Sequence, residues 1–331
     1  MLRVHFTTDD IARVRLATAP DPLWEVTNSF QILITREAPL AFGEWRRLVR
    51  PRLPTAGRLL GGLLPPRGYS PDFLTPDLGG RSDLASAVDA VLSTPRADLR
   101  GDLARLAASP ERIRPLPAGT RALAEGDPEV LRRLGDALHT YHRQTLAPFW
   151  PTVRAQVDAD LALRTRAVLA GGADGLLRSF WPVLRWQPPV LEADYPVDRE
   201  LLLGGRGLAL QPSFFCCRRP VTLAVPPVGP APVLVYPIRH TLALARVTGP
   251  ELGPLIGHTR AAILEDVITG RTTRELARRI GISEAATSYH TAVLRRAGLL
   301  LSERHGKYVL HTATPTGLAL LGNPLGTPFD V

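Results

Sequence analysis

Lysine is almost missing from this chain. Of its 40 basic residues only Lys307 is a lysine, and methionine is as scarce, with one. Arginine in place of lysine throughout, with 32 prolines and 28 glycines, looks like the coding bias of a GC-rich genome. The formal charge of +9 and the pI near 10.4 therefore support a nucleic-acid partner only weakly. Cysteine is nearly absent too. Cys216 and Cys217 are adjacent and bridge each other only through a strained ring, which excludes a disulfide framework. Preceded by Phe214 and Phe215, they are expected in a strand as buried hydrophobes, one facing in and one out, with a thiol redox switch as the alternative.

Long apolar runs are lacking. Nothing approaches the ~18 consecutive residues of a membrane span, and the opening MLRVHFTTDD has no signal-peptide core, so a soluble cytoplasmic protein is expected. Catalytic signatures are lacking as well: there is no GxSxG, no P-loop, no GxGxxG between strand and helix, and no HExxH. His139 and His142 lie three apart on an expected helix without a cysteine or third histidine nearby, so no metal or other cofactor is expected. The expectation is a non-enzyme. The place to look for a hidden enzyme or a ligand cavity is the region of Trp150, Trp181 and Trp186, whose plainer reading is core packing.

At 331 residues and 45% hydrophobic composition, the chain is long enough for two domains. The expected class is α+β, predominantly helical. Leu2, Val4 and Phe6 alternate with Arg3 and His5, Val14 and Leu16 alternate with Arg13 and Arg15, and Thr8 can cap a short turn between these strands. From Asp21 the period becomes helical, with Leu23, Val26, Phe30 and Leu33 on one face. Further helices are expected at Phe42–Arg50, Asp83–Leu92, Ala97–Ala108, around Leu123 and through Leu134, Leu138 and Tyr141. The glycine- and proline-rich stretch Gly61–Pro76 reads as a loop. Pro151 opens a helix that Gly171-Gly172 ends, and Asp174–Phe180 forms another.

From Val197 the pattern is β. Leu201–Leu203, Gly204–Gly207 and Leu208–Cys216 read as a hairpin, with Val221–Val225 and Val233–Ile238 following. Residues 1–247 are thus expected to form a sensor or dimerisation domain, helical over 21–186, with a small antiparallel sheet from 2–16 and 199–238. Thr248-Gly249-Pro250 would be the hinge to a second domain at 250–323.

Thr272 to His311 carries the most specific pattern. Leu276, Ala277 and Ile280 give a short helix one apolar face, Gly281 ends it, Ile282 fills the corner, and Ser283 caps a second helix that stops at Gly298. Leu299–Leu301 reads as a strand, Ser302–Lys307 as a polar basic turn, and Tyr308–His311 as the returning strand. A helix pair followed by a basic hairpin is a winged helix-turn-helix.

With ELARRIGIS, Ser288 and His290 in the second helix, LRRAGLL at its end, and the wing Arg304-His305-Gly306-Lys307-Tyr308, the segment from Gly257 to Leu321 resembles the DNA-binding domain of ArsR-like transcriptional regulators. The order of the remaining segments is similar to larger actinobacterial regulators of that type. The resemblance implies double-stranded DNA as ligand, a homodimer and a role in transcription regulation. It departs at Thr287 and Thr291, usually aliphatic, and lacks the metal-sensing cysteines along Thr273–Ile280, so that sensing mechanism does not carry over.

If Leu276, Ala277, Ile280, Ile282 and Thr287 face inward, then Ser283, Glu284, Ala285, Ser288 and Tyr289 face the groove: hydroxyls to bases or phosphates, Glu284 to cytosine, Ala285 to a thymine methyl. Thr272, Thr273 and Arg274 at the start of the first helix and Arg295 at the end of the second suit phosphates. Arg304, His305 and Lys307 on the wing suit the backbone or minor groove. Residues 251–331 hold nine basic against seven acidic side chains, so any DNA-facing field must come from local placement, with Arg271 and Arg296 contributing. A small-molecule effector in the large domain would complete a one-component regulator. The alternatives are a winged helix that docks on a partner protein, and a ligand-binding protein without direct DNA contact.

Overall fold

The alternation at the start of the chain buries Leu2 and Val4 on one face of β1 (Leu2–His5), which becomes an inner strand of its sheet. The computed structural model describes residues 1–35, 37–53, 56–66, 68–79, 83–109, 116, 119–217, 219–222, 229–239, 252–305 and 308–321. They divide into two units, Met1–Leu242 and Ala243–Val331, in a mixed α+β protein where helix predominates. The expected hinge at Thr248-Gly249-Pro250 lies outside the described residues.

In the first unit Thr7, one residue earlier than expected, caps α1 (Thr8–Ala12) through a capping box with Asp10, and β2 (Arg15–Leu16) follows. Asp21 accepts from the amides of Leu23 and Trp24 at 2.9 and 3.0 Å, and with Pro22 it starts α2 (Pro22–Ile34). Arg46, on α3 (Pro39–Val49), donates to the carbonyls of Ile32 and Glu37 at 3.0 and 2.6 Å, closing the C-terminal end of α2. The next element corrects an expectation: α4 (Ala56–Leu63) carries Gly61 and Gly62 inside a helix. Leu60, Leu63 and Leu64 are fully buried, and that burial outweighs the ~1 kcal/mol each helical glycine costs. The loop proper begins beyond it, and Phe73 and Leu74 pack back.

Helices α5 (Leu84–Leu92), α6 (Arg96–Ala108), α7 (Thr120–Ala124) and α8 (Pro128–Tyr141) occur where the apolar period predicts them. Then α9 (Trp150–Ser179) runs on through a break at Gly171 and Gly172, where Gly172 takes φ 58°, a left-handed value that suits glycine. Its inner face holds a buried ion pair. Arg164 meets Asp160 at 2.9 Å, and the hydroxyl of Tyr236 donates to the same carboxylate at 3.0 Å.

The strands differ most from expectation. Instead of one small antiparallel sheet the described residues form two four-stranded mixed sheets, ordered β3-β4-β1-β5 and β2-β6-β8-β7. The strands are β3 (Leu184–Gln187), β4 (Val190–Ala193), β5 (Arg199–Leu202), β6 (Ala209–Ser213), β7 (Val221–Thr222) and β8 (Val233–Pro237). The β3–β4 hairpin precedes Val197, where the β pattern is expected to begin, and turns at Pro188 and Pro189. The expected hairpin at Gly204–Gly207 does not form: β5 pairs parallel to β1, with Leu2 opposite Arg199, and β6 pairs parallel to β2, with Arg15 opposite Ala209. Gly207 explains the deflection. A Cβ there would stand 2.3 Å from the Arg13 carbonyl oxygen, and its amide donates to Asp10 at 2.8 Å, so the chain is pinned beside α1 and led out of one sheet into the other. Cys216 and Cys217 lie beyond β6, not in a strand. Cys216 is buried with Trp24, Val233 and Val235, and Cys217 is half-buried.

The second unit comprises α10 (Leu252–Ile256), α11 (His258–Asp266), β9 (Arg271–Thr272), α12 (Thr273–Ile280), α13 (Glu284–Arg296), β10 (Leu300–His305), β11 (Tyr308–Ala313) and α14 (Pro315–Leu320). The strands form an antiparallel sheet ordered β10-β11-β9. Ser302–His305 continues β10 where polar composition predicts a turn. Register from Leu300 opposite Ala313 to His305 opposite Tyr308 keeps this segment paired, because a strand with one solvated face accepts polar side chains. Ile263, Leu264, Leu276, Leu294 and Leu300 form the core.

Candidate nucleic-acid interface

The first helix of the pair, α12, is set by a capping box. Thr272 accepts from the Glu275 amide at 3.3 Å, and the Glu275 carboxylate accepts from the Thr272 amide at 2.9 Å. Donation from the Thr272 amide and hydroxyl lowers the pKa of the Glu275 carboxyl. Leu276 and Ala277 turn inward, and Gly281 at φ 76° makes the left-handed step out of the helix, a conformation costly for any other residue. Ile282 packs on the core. Ser283 caps α13, its hydroxyl accepting from the Ala286 amide at 3.1 Å.

Along α13 the faces separate cleanly. Thr287, Thr291 and Leu294 are buried. The two threonines are reconciled with a core position by their own helix: Thr287 donates to the Ser283 carbonyl at 3.0 Å and Thr291 to the Ser288 carbonyl at 3.1 Å, which leaves their methyl groups for packing. Ser283, Glu284, Ala285, Ser288 and Tyr289 are all exposed, Tyr289 at 64%, and so are Arg295 and Arg296 at the helix end. His290 is half-buried, with its ring 5.3 Å from that of Tyr289.

Other candidates are drawn into the unit itself. The hydroxyl of Thr272 belongs to the capping box, and that of Thr273 lies 2.9 Å from Nε2 of His311. Their availability to a phosphate is correspondingly reduced. Arg274 and Glu284 are both exposed and lie 3.9 Å apart, a loose pair linking the starts of the two helices. Arg304 is exposed on β10. His305 closes that strand, and Lys307, with Gly306, lies outside the described residues.

Two features are not evident from the local pattern. His311, buried on β11, joins the start of α12 to β10: Nε2 lies 2.9 Å from Thr273 Oγ1 and Nδ1 lies 2.8 Å from Ser302 Oγ. Burial, reinforced by the Arg295 charge, holds its pKa below the ordinary value. Asp266 receives Arg279 at 2.8 Å, tying α12 to α11. The pairings span nine, thirteen and thirty-eight residues, beyond any helical or strand period.

No family model, curated protein or solved structure matches this chain. The reading of the surface therefore rests on its own geometry. It is a helix with a polar, hydroxyl-bearing row facing solvent, arginines at its end, and an arginine on the neighbouring strand. Such a row suits contact with base edges and phosphates.

Elsewhere the tryptophans go separate ways. Trp186 packs edge-on against Phe6 and donates to Asp174 at 2.8 Å, the Trp150 ring lies 5.2 Å from that of His142, and Trp181 is 61% exposed. Among the described residues no group of three histidines, cysteines or carboxylates is arranged to hold a metal, and no helix is long and apolar enough to cross a membrane.

Proposed function

We propose that this chain is a one-component transcription regulator, cytoplasmic and dimeric, whose second unit is a winged helix-turn-helix that reads double-stranded DNA. In this reading α13 lies in the major groove, and Ser283, Ala285, Ser288 and Tyr289 meet base edges. Arg295 and Arg304 meet phosphates, with Lys307 on the wing. The observation that carries it is the outward row of α13: a capped, well-anchored helix on which Ser283, Glu284, Ala285, Ser288 and Tyr289 are exposed. Glu284 meets Arg274 through one oxygen at 3.9 Å, and its carboxylate keeps acceptor sites for a cytosine amine. The large unit would hold the dimer and respond to a small effector.

The test is footprinting of the full chain on genomic DNA, followed by titrations at several salt concentrations. Binding should weaken steeply as salt rises, and Arg304→Ala should reduce the log–log slope by about one. Failure to bind any duplex in dilute buffer would refute the reading.

A second reading is favoured by Tyr289, Leu301 and Tyr308, large exposed side chains in the same unit. They suit docking on a partner protein. In that case binding would show little dependence on salt and would be lost with Tyr289→Ala.

A further inference from the structure

Helix α9 has two unlike faces. Val153, Gln156, Val157, Asp160 and Arg164 are buried. The opposite face is open: Asp158, Ala159, Ala162, Thr165, Arg166 and Leu169 are all exposed, Leu169 at 83%. At about 100° per residue, Ala162 lies at the middle of this outer face, with Asp158 one turn before it and Arg166 one turn after. Neither Asp158 nor Arg166 joins an ion pair or side-chain hydrogen bond among the described residues, whereas on the inner face Asp160 and Arg164 are bonded to each other.

The face is self-complementary. Positions 158 and 166 are equally distant from 162, and so are 155 and 169. We propose that the outer face of α9 is the docking surface for a second copy of this chain, laid antiparallel about a two-fold axis at Ala162. Asp158 then meets the partner's Arg166, and Arg166 the partner's Asp158, so one contact is made twice, as an isologous interface requires. Leu169 covers the partner's Ala155, again twice, setting a large side chain over a small one. The alanines at 159 and 162 let the helix axes approach to about 8 Å, the close end of helix packing. Charge order selects the occupant. A face with one acid and one base placed symmetrically about an alanine is neutral as a whole and matches its own copy turned end to end, whereas a uniformly acidic or basic partner would meet one repulsive contact.

This surface supplies the dimer on which the regulator reading rests, yet it is measured without DNA, so the two can fail separately. The test is sedimentation velocity of the full chain from about 1 to about 100 µM, the range fitting an interface at the small end of specific contacts. The wild type should dimerise within that range. Asp158→Arg and Arg166→Asp should each weaken association tenfold or more. Mixed one to one, the two variants should recover a heterodimer, because each carries the charge the other has lost, and the double variant should recover a homodimer. Both positions are exposed, so far-ultraviolet circular dichroism should be unchanged. A wild type monomeric throughout, single variants that associate like the wild type, or a mixture that stays monomeric would each overturn the proposal.

Discussion

Helices α2 and α13 have the same length, 13 residues, and both begin at a side-chain cap, Asp21 in one and Ser283 in the other. They are used in opposite ways. Eleven residues of α2 are buried, among them Glu25, Thr27, Asn28 and Ser29, whereas α13 buries three. The polar groups of α2 are therefore answered inside the protein. Glu25 accepts from the amides of Phe214 and Phe215 at 2.7 and 3.0 Å and from the Ser213 hydroxyl at 3.1 Å, and Asn28 donates to the same hydroxyl at 3.0 Å. On α13 the two buried threonines bond their own helix, and Ser283, Glu284, Ser288 and Tyr289 are left outside. One helix is scaffold on every side; the other is fastened along one edge and free along the rest.

The largest way to break this contrast is Glu25→Ala. It strands two backbone amides and a hydroxyl in the core, and chemical denaturation should show a loss of about 3–5 kcal/mol. Next is pH. Burial raises Glu25 from its ordinary 4.5 to about 7, so the stability it contributes is fully present below pH 4.5 and is lost as pH rises towards 7. His311 runs the other way. Its pKa is depressed in the folded state, so its contribution is present above its ordinary 6.5 and is lost as pH falls below that value. Hydrogen exchange followed by peptide should show α2 loosening from pH 5 to 8 while the α12–β11 region tightens over the same interval. Glu25→Gln should flatten the first trend and His311→Gln the second. The smallest effect is the sharpest test of use: Ser288→Ala should change stability by less than about 0.5 kcal/mol while lowering affinity for an operator by about tenfold, measured by anisotropy.

How much of this was legible from the chain depended on the range of the interactions. Caps and periods are local, so the helical period from Asp21, Ser283 with the row behind it, and the break at Gly171-Gly172 can all be placed from neighbouring residues. The two sheets cannot. Their parallel pairings join Leu2 to Arg199 and Arg15 to Ala209, and a glycine-rich segment that imitates a hairpin turn proves to be a crossing between sheets. Helix α4 was hidden by Gly61 and Gly62, whose local preference lost to the burial of three leucines. At the candidate interface the exposed row follows from the helical period, but the internal use of the Thr273 hydroxyl depends on His311, thirty-eight residues away.

The parallel pairings of β1 and β2 also bear on biosynthesis. Among the described residues, strand β1 pairs with 190–193 and 199–202, and β2 with 209–210. At ordinary translation speeds of about 5–20 residues per second, both strands wait roughly ten to forty seconds outside the ribosome before a partner emerges. Helices α2 to α9 must condense in that interval with two unpaired edges in tow, so nascent chains stalled before residue 190 should be the form most in need of a chaperone.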